Sequence, residues 1–214
     1  MPPRWKFTPS EAVPAGATFD PQNLKGKNVI VTGGASGIGE FVVRGFVEVG
    51  AFVTFGDVDL ARGEALAKEL GAVFVKCDVL KWEEQLELFK KTLERGGVDV
   101  VVANAGLDGE DTILKRQPIT PSNDPTEPNL RILRINLIGV AYTARLANFY
   151  FSRTPKSDHS LIITASLSSY IDHPFSPEYN ASKWGVRGLM RSLRSTTGVS
   201  GMRVGVVAPW YVPF

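Results

Sequence analysis

The chain is predicted to fold as an α/β protein, a doubly wound parallel sheet in three α/β/α layers. Three features of the sequence point there. Short apolar runs alternate with helical patterns along the chain. The runs are nearly continuous rather than alternating, so both faces of each strand are buried under helices. A glycine cluster, Gly33, Gly34, Gly37 and Gly39, lies between the first run and the first helix, where the backbone must turn sharply.

The elements follow in order. Residues 27–33 (KNVIVTG) form the first strand, and a helix from 38 to 49 follows, with Gly50 as its stop. Residues 51–57 are the second strand, and 59–70 a helix closed by Gly71. Residues 72–78 are the third strand. The helix over 81–96 is amphipathic, with Leu86, Phe89 and Leu93 on one face. Residues 98–106 form the fourth strand. A loop with Pro118, Pro121, Pro125 and Pro128 leads into a long helix over 129–152. Residues 160–166 are the fifth strand, 177–197 a helix, and 202–209 the sixth strand. Right-handed crossovers between these strands give the Rossmann arrangement, with ligand at the carboxyl ends of the strands.

Composition excludes several function classes. The 214 residues suit one domain, read as 25–214, preceded by an irregular Pro-rich and polar arm over 1–24. A net charge of +2, with Lys and Arg dispersed, argues against a nucleic-acid partner. No apolar run reaches the length of a membrane span. The first residues lack the apolar centre of a signal peptide. Cys77 is the single cysteine, so no disulfide forms within the chain, which fits a reducing, cytoplasmic setting.

The glycines have the spacing Gly33-x3-Gly37-x-Gly39. Gly33 allows the turn, and Gly37 and Gly39 admit a pyrophosphate to the backbone at a helix N-terminus. Asp57 ends the second strand, where a carboxylate accepts from a ribose 2′-hydroxyl and repels a 2′-phosphate. No basic residue stands at Ser36 or Val58, so NAD is favoured over NADP. Arg62 keeps NADP in view. The competing reading is that Asp57 or Asp59 only caps the next helix. Tyr179 and Lys183 stand four apart on a predicted helix and so share a face. A neighbouring ammonium would lower a phenol's pKa from about 10 and make it a proton carrier. An exposed helix face would explain the pair as well. Ser166, at the end of the fifth strand, can reach the same crevice.

These residues, with "TGGASGIG" (32–39), "CDV" (77–79), "NAG" (104–106), "INLIG" around Asn136, "YNASK" (179–183) and "APW" (208–210), resemble the short-chain dehydrogenase/reductase family in order and spacing from about 25 to 212. The resemblance implies roles. Gly33, Ser36, Gly37, Ile38 and Gly39 would hold the cofactor phosphates, and Asp57 the adenosine ribose. Asp78 and Val79 would flank the adenine. Asn104, Ala105, Gly106 and Pro209 would line the cofactor. Asn136 would hold a water that relays protons to Lys183, and Lys183 would bind the nicotinamide ribose and tune Tyr179. Ser166 would orient the substrate. A hydride would pass between a nicotinamide cofactor and a small-molecule alcohol or ketone. A homodimer or homotetramer would form through the helices at 129–152 and 177–197, with Leu146, Phe149, Tyr150, Trp184, Leu189 and Leu193 as apolar surface.

The chain also departs from the family pattern. Trp210 follows Pro209 where glycine is usual, and Phe214 stands where a threonine is usual. By that comparison the last strand and the substrate lid are lacking, and the sixth strand becomes an exposed apolar edge. Tyr170, Ile171, Phe175, Trp184 and Trp210 suggest an apolar or aromatic substrate, or simply core and interface. His173 is read as a loop residue rather than a second base, and His159 as a surface turn residue. No cluster has metal-ligand spacing. The favoured function is an NAD-dependent oxidoreductase. The alternatives are a redox-silent chain using the scaffold for nucleotide binding, cyclisation or assembly, and an NADP-dependent carbonyl reductase.

Overall fold

Val29, Ile30 and Val31 are wholly shielded from solvent, and they stand in β1 (Asn28–Thr32), the strand around which the chain is wound. The structure is a computed structural model that describes residues 16, 20–120, 124–154, 158–196 and 201–210. Most of the arm read over 1–24, the end of the helix read to 197, and Phe214 lie outside the described residues. Within the arm, Pro21–Leu24 form a short 3-10 helix capped by Asp20 rather than irregular chain.

Six strands form one sheet. They are β1, β2 (Phe52–Asp57), β3 (Val73–Lys76), β4 (Val100–Ala103), β5 (Ser160–Thr164) and β6 (Arg203–Val207). Their order is β3-β2-β1-β4-β5-β6 and every pairing is parallel. Register follows side-chain parity. Ile30 lies beside Val101, and Val101 beside Leu161, and all three face one side. Val29, Val31, Val53, Val100 and Val102 face the other.

Each face receives helices whose apolar sides match it. α1 (Gly37–Glu48) and α2 (Leu60–Leu70) bring Val43 and Leu66 to the second face. α3 (Trp82–Leu93) brings Leu88 and Phe89 to the first. Each fully buried Leu, Val, Ile or Phe stabilises the fold by about 2 kcal/mol relative to exposure. Asp59 caps α2 by accepting from Arg62 N at 3.0 Å, and Gly71 closes it at φ 66°.

The helix predicted over 129–152 is three pieces: α4 (Arg131–Leu133), a π-helical stretch (Arg134–Gly139) and α5 (Val140–Phe151). The widened turn is held by buried polar contacts. Gln85 Nε2 donates to Gly139 O at 3.1 Å and to Val79 O at 2.6 Å, and Thr143 Oγ1 donates to Gly139 O at 3.0 Å. α6 (Pro177–Thr196) closes the first face with Val186 and Met190.

Several expectations need correction. Leu146 and Tyr150 are core residues, 2% and 3% exposed, and Leu189 and Leu193 pack against the same core. Of the proposed interface set, only Phe149 and Trp184 stand open. Their neighbours on the buried faces were indistinguishable from them by period alone. His159 is buried, stacked on Phe151 at 4.6 Å with Nε2 2.7 Å from Thr154 O, not a surface residue. Both outer strands are less buried than the central ones, and Val207 on β6 is open to solvent. Among the described residues no helix is long and apolar enough to cross a membrane, and no group of side chains could hold a metal ion.

Cys77 lies under the sheet edge, and burial, with Glu84, Asp78 and Asp57 nearby, pushes its thiol up to about 12. A thiol-specific reagent at neutral pH therefore leaves the folded chain untouched and modifies Cys77 only in denaturant. Rapid modification of the native chain would contradict this packing.

Candidate active site at the carboxyl ends of the strands

A parallel sheet puts all strand carboxyl ends along one side, and the chain turns away in opposite directions after β1 and β4, leaving a crevice. Gly33, Asp57, Asp78, Asn104, Ser166 and Pro209 all sit at or just beyond strand ends on that side.

The glycines around the turn after β1 leave no room for a Cβ at Gly33, Gly34 or Gly39. Gly33 has φ 65°, and a Cβ there would stand 2.7 Å from Ala105 Cα. A Cβ on Gly39 would meet Gly33 O at 1.8 Å. α1 thus starts hard against the strand end. Ser36 precedes it with extended backbone, exposed, its hydroxyl making no capping bond. Gly37 has φ 53°, and Ile38 is half-buried in the first turn. Amide donors at a helix N-terminus beside an open Cβ-free cradle suit a phosphate group.

Asp57 does not cap α2, because Asp59 does. Its Oδ2 accepts from Ala35 N at 2.9 Å and its Oδ1 from Asp59 N at 3.0 Å. The carboxylate therefore braces the glycine turn. Arg62 lies 3.5 Å from Asp59 with its guanidinium largely exposed. Asp78 turns the chain after β3, accepting from Leu80 N at 3.0 Å, and Val79 is buried against Gly139.

Asn104 links three strands. Nδ2 donates to Gly33 O at 3.0 Å, and Oδ1 accepts from Thr164 Oγ1 at 3.0 Å. Thr32 Oγ1 accepts from the amides of Asn104 and Ala105. Gly106 is exposed, and a Cβ there would stand 3.2 Å from Asn136 Oδ1 and 3.6 Å from Lys183 Nζ. Asn136, on the π-helical stretch, clamps the backbone of Leu107 from both sides at 2.9 Å and donates to Ser182 Oγ at 3.1 Å.

Ser166 begins a tight 3-10 turn (Leu167–Ser169), its Oγ accepting from Ser168 N at 3.1 Å. Pro209 O accepts from Leu167 N at 2.9 Å and ties that turn to the end of β6. Lys183 is 5% exposed, donates to Thr164 O at 3.1 Å, and sits 5.5 Å from the Tyr179 ring centre. Ser166, Tyr179 and Lys183 thus meet in one place.

The electrostatics differ from the expectation at one point. Burial pushes the Tyr179 phenol up; its hydrogen bond with Ser166 pulls it down, and Asp108 adds to the rise. Lys183 does not lower it in this state, because burial draws the lysine itself down to about 8, opposed by Asp108. His173 is nearer the reacting group than predicted, its ring edge-on to Tyr179 at 5.8 Å and Nδ1 3.4 Å from Ser168 Oγ. Sequence reasoning missed Asp108, Thr164 and Ser182. Their only signal was position, two residues after NAG, at the end of the fifth strand, and beside Lys183.

The family described as short chain dehydrogenase matches residues 27–213. A 5'-hydroxyaverantin dehydrogenase of Dothistroma septosporum is 36% identical over 213 residues, covering 90% of this chain and 69% of that protein. An NADP-dependent dehydrogenase M3 of a Phoma species is 35% identical over 205 residues, covering 88% of this chain and 60% of that protein. A crystal structure of a short-chain type dehydrogenase/reductase from Mycobacterium marinum superposes with a TM-score of 0.78 at 26% identity, over 89% of this chain and 76% of that one.

Lys183 makes folding pH-dependent. The folded site releases its proton at about 8, whereas the ordinary value is 10.5. Between these limits the unfolded chain holds more proton at Lys183, so the contribution of this residue to stability rises with pH across that window and is lost as pH falls towards 8. Urea midpoints measured across it should climb for the native chain relative to Lys183→Met. Parallel curves would disprove the buried lysine.

Proposed function

Because the chain belongs to the short-chain dehydrogenase/reductase family, we propose that it is an NAD-dependent oxidoreductase acting on a secondary alcohol or ketone with an apolar or aromatic body. The observation that carries this reading is the convergence of Ser166, Tyr179 and Lys183 on the crevice that begins at the Gly33–Gly39 turn. A redox-silent scaffold gives no account of a lysine kept 5% exposed beside a half-buried tyrosine.

The residues present fit a dinucleotide. The cradle at Gly33 and Gly39 and the free Ser36 hydroxyl would hold the phosphates, and Asp57 the adenosine ribose. Asp78 and Val79 would bound the adenine, and Asn104, Ala105, Gly106 and Pro209 the inner part. When bound, the nicotinamide supplies the hydride acceptor or donor. The chain does the rest. Ser166 holds the substrate oxygen. Tyr179 takes the hydroxyl proton in oxidation or gives it in reduction. Its phenol is raised by burial, so ionisation depends on positive charge nearby, which Lys183 offers while protonated, below about 8. Asn136 holds Leu107 and Ser182 in place beside them.

Asp57 supports NAD, since a carboxylate at that strand end repels a 2′-phosphate. Arg62, exposed three residues beyond Asp59, supports the second reading, NADP with carbonyl reduction, as does the relative named for NADP. Phe149 and Trp184, flanked by Arg145, Arg153 and Arg187 over aromatic rings, are the surface we propose for a second copy of the chain.

Fluorescence titration with NADH and NADPH, followed by an alcohol and ketone screen, tests the reading. Tyr179→Phe should lower turnover about a thousandfold and leave NADH affinity unchanged. Surviving turnover would remove Tyr179 from the mechanism. Asp57→Asn keeps an acceptor for Ala35 N but removes the charge, so NADPH should gain affinity relative to NADH. An unchanged ratio would show that Asp57 does not choose the cofactor.

A further inference from the structure

One segment near the crevice is tethered at both ends by the catalytic helices. At its start, Asn136 accepts from Leu107 N and donates to Leu107 O, both at 2.9 Å. At its end, Thr112 Oγ1 donates to Glu178 Oε1 at 2.6 Å, and Thr112 N donates to the same oxygen at 3.3 Å. Asp111 Oδ2 accepts from Glu178 N at 2.9 Å, while its Oδ1 accepts from the amides of Ile113 and Leu114. Asp108, Gly109 and Glu110 lie exposed between the two tethers.

Glu178 is wholly buried beside Tyr179, and its Oε2 has no hydrogen-bond partner among the described residues. A carboxyl group so placed works against folding, and the apolar core gains nothing from it. Its hydrogen bonds go to Thr112, with its own amide held by Asp111. The residues that follow the tether, Ile113 and Leu114, are apolar yet about half exposed. Phe175, in the loop leading into α6, is 86% exposed and has φ 66°, a backbone conformation such a side chain rarely adopts. Three large apolar groups are therefore held open to solvent next to the N-terminus of α6.

We infer that Glu178 and Thr112 are positioning residues that fix segment 107–114 beside Tyr179, so that Ile113 and Leu114, with Phe175 opposite in the chain, form a wall for the apolar body of the substrate. The inference rests on the oxidoreductase reading. The tether acts on substrate capture, not on proton transfer, because neither residue touches the Tyr179 hydroxyl or the nucleotide cradle.

The test uses three forms of the whole chain: native, Thr112→Val, which keeps the shape and loses the hydroxyl, and Thr112→Ser, which restores it. Hydrogen exchange of amides 107–114 is measured on each, together with KM and kcat for cyclohexanol and for the apolar alcohol that the native chain turns over best. Thr112→Val should speed exchange in that segment and raise KM about tenfold with kcat and NADH affinity unchanged, and Thr112→Ser should return both to native values. Unchanged exchange overturns the tether. Faster exchange with unchanged KM overturns the wall, and so does a joint loss of kcat, cofactor affinity and thermal stability. If the native chain binds neither NADH nor NADPH and turns over no alcohol or ketone, the oxidoreductase reading falls and the wall with it, whatever the exchange shows.

Discussion

The side-chain amide of Asn104 is the joint on which the site depends. It spends its donor on Gly33 O and its acceptor on Thr164 Oγ1, and Thr164 O in turn receives Lys183 Nζ. A line of hydrogen bonds therefore runs from the turn after β1, across the end of β4, to the end of β5 and into α6. Each member is partly or fully buried, where an unpaired polar group costs about 1–3 kcal/mol, so the line is held as a unit. The close approach of α1 to the sheet lies against the same joint. A Cβ on Gly39 would collide with both Gly33 O and the Asn104 Nδ2 that donates to it, so glycine at that position leaves the bond room.

One helix then carries an unusual share of polar burden. α6 presents Glu178, Tyr179, Ser182 and Lys183 within two turns, three of them buried. Its apolar residues Val186 and Met190 anchor the following turns in the core. The anchoring half offsets what the polar half costs, and the reacting groups stand at the N-terminal end because α6 begins beside the carboxyl end of β5. The π-helical stretch shows the same compromise. Its widened turn sets Asn136 beside Leu107 and Ser182, and Gln85 and Thr143 satisfy the carbonyl of Gly139.

The order of elements, and the meeting of Ser166, Tyr179 and Lys183 at the carboxyl ends of the strands, were legible in the sequence, because both rest on local chemistry. Alternating apolar runs and helical periods need nothing but neighbours, and Gly33-x3-Gly37-x-Gly39 announces a turn that side chains would block. Contacts between distant segments were not legible. Nothing near Thr112 says that it meets Glu178, and nothing near Asp57 says that it braces Ala35. Period alone could not tell Leu146 and Tyr150, which face the sheet, from Phe149, which does not. His159 looked like a turn residue because its burial comes from Phe151, on the preceding helix. The π-helical stretch was invisible, since its hydrophobic spacing differs from that of an α-helix by a single residue in a turn.

The 214 residues hold a single thiol, and it lies sealed beneath the outer sheet. For spectroscopy this is a clean background. A cysteine placed at exposed Gly109 would be the one reactive thiol on the folded surface, with no substitution of Cys77 needed first. A fluorophore or spin label could then report distance changes beside the crevice in otherwise unaltered protein, one chain at a time.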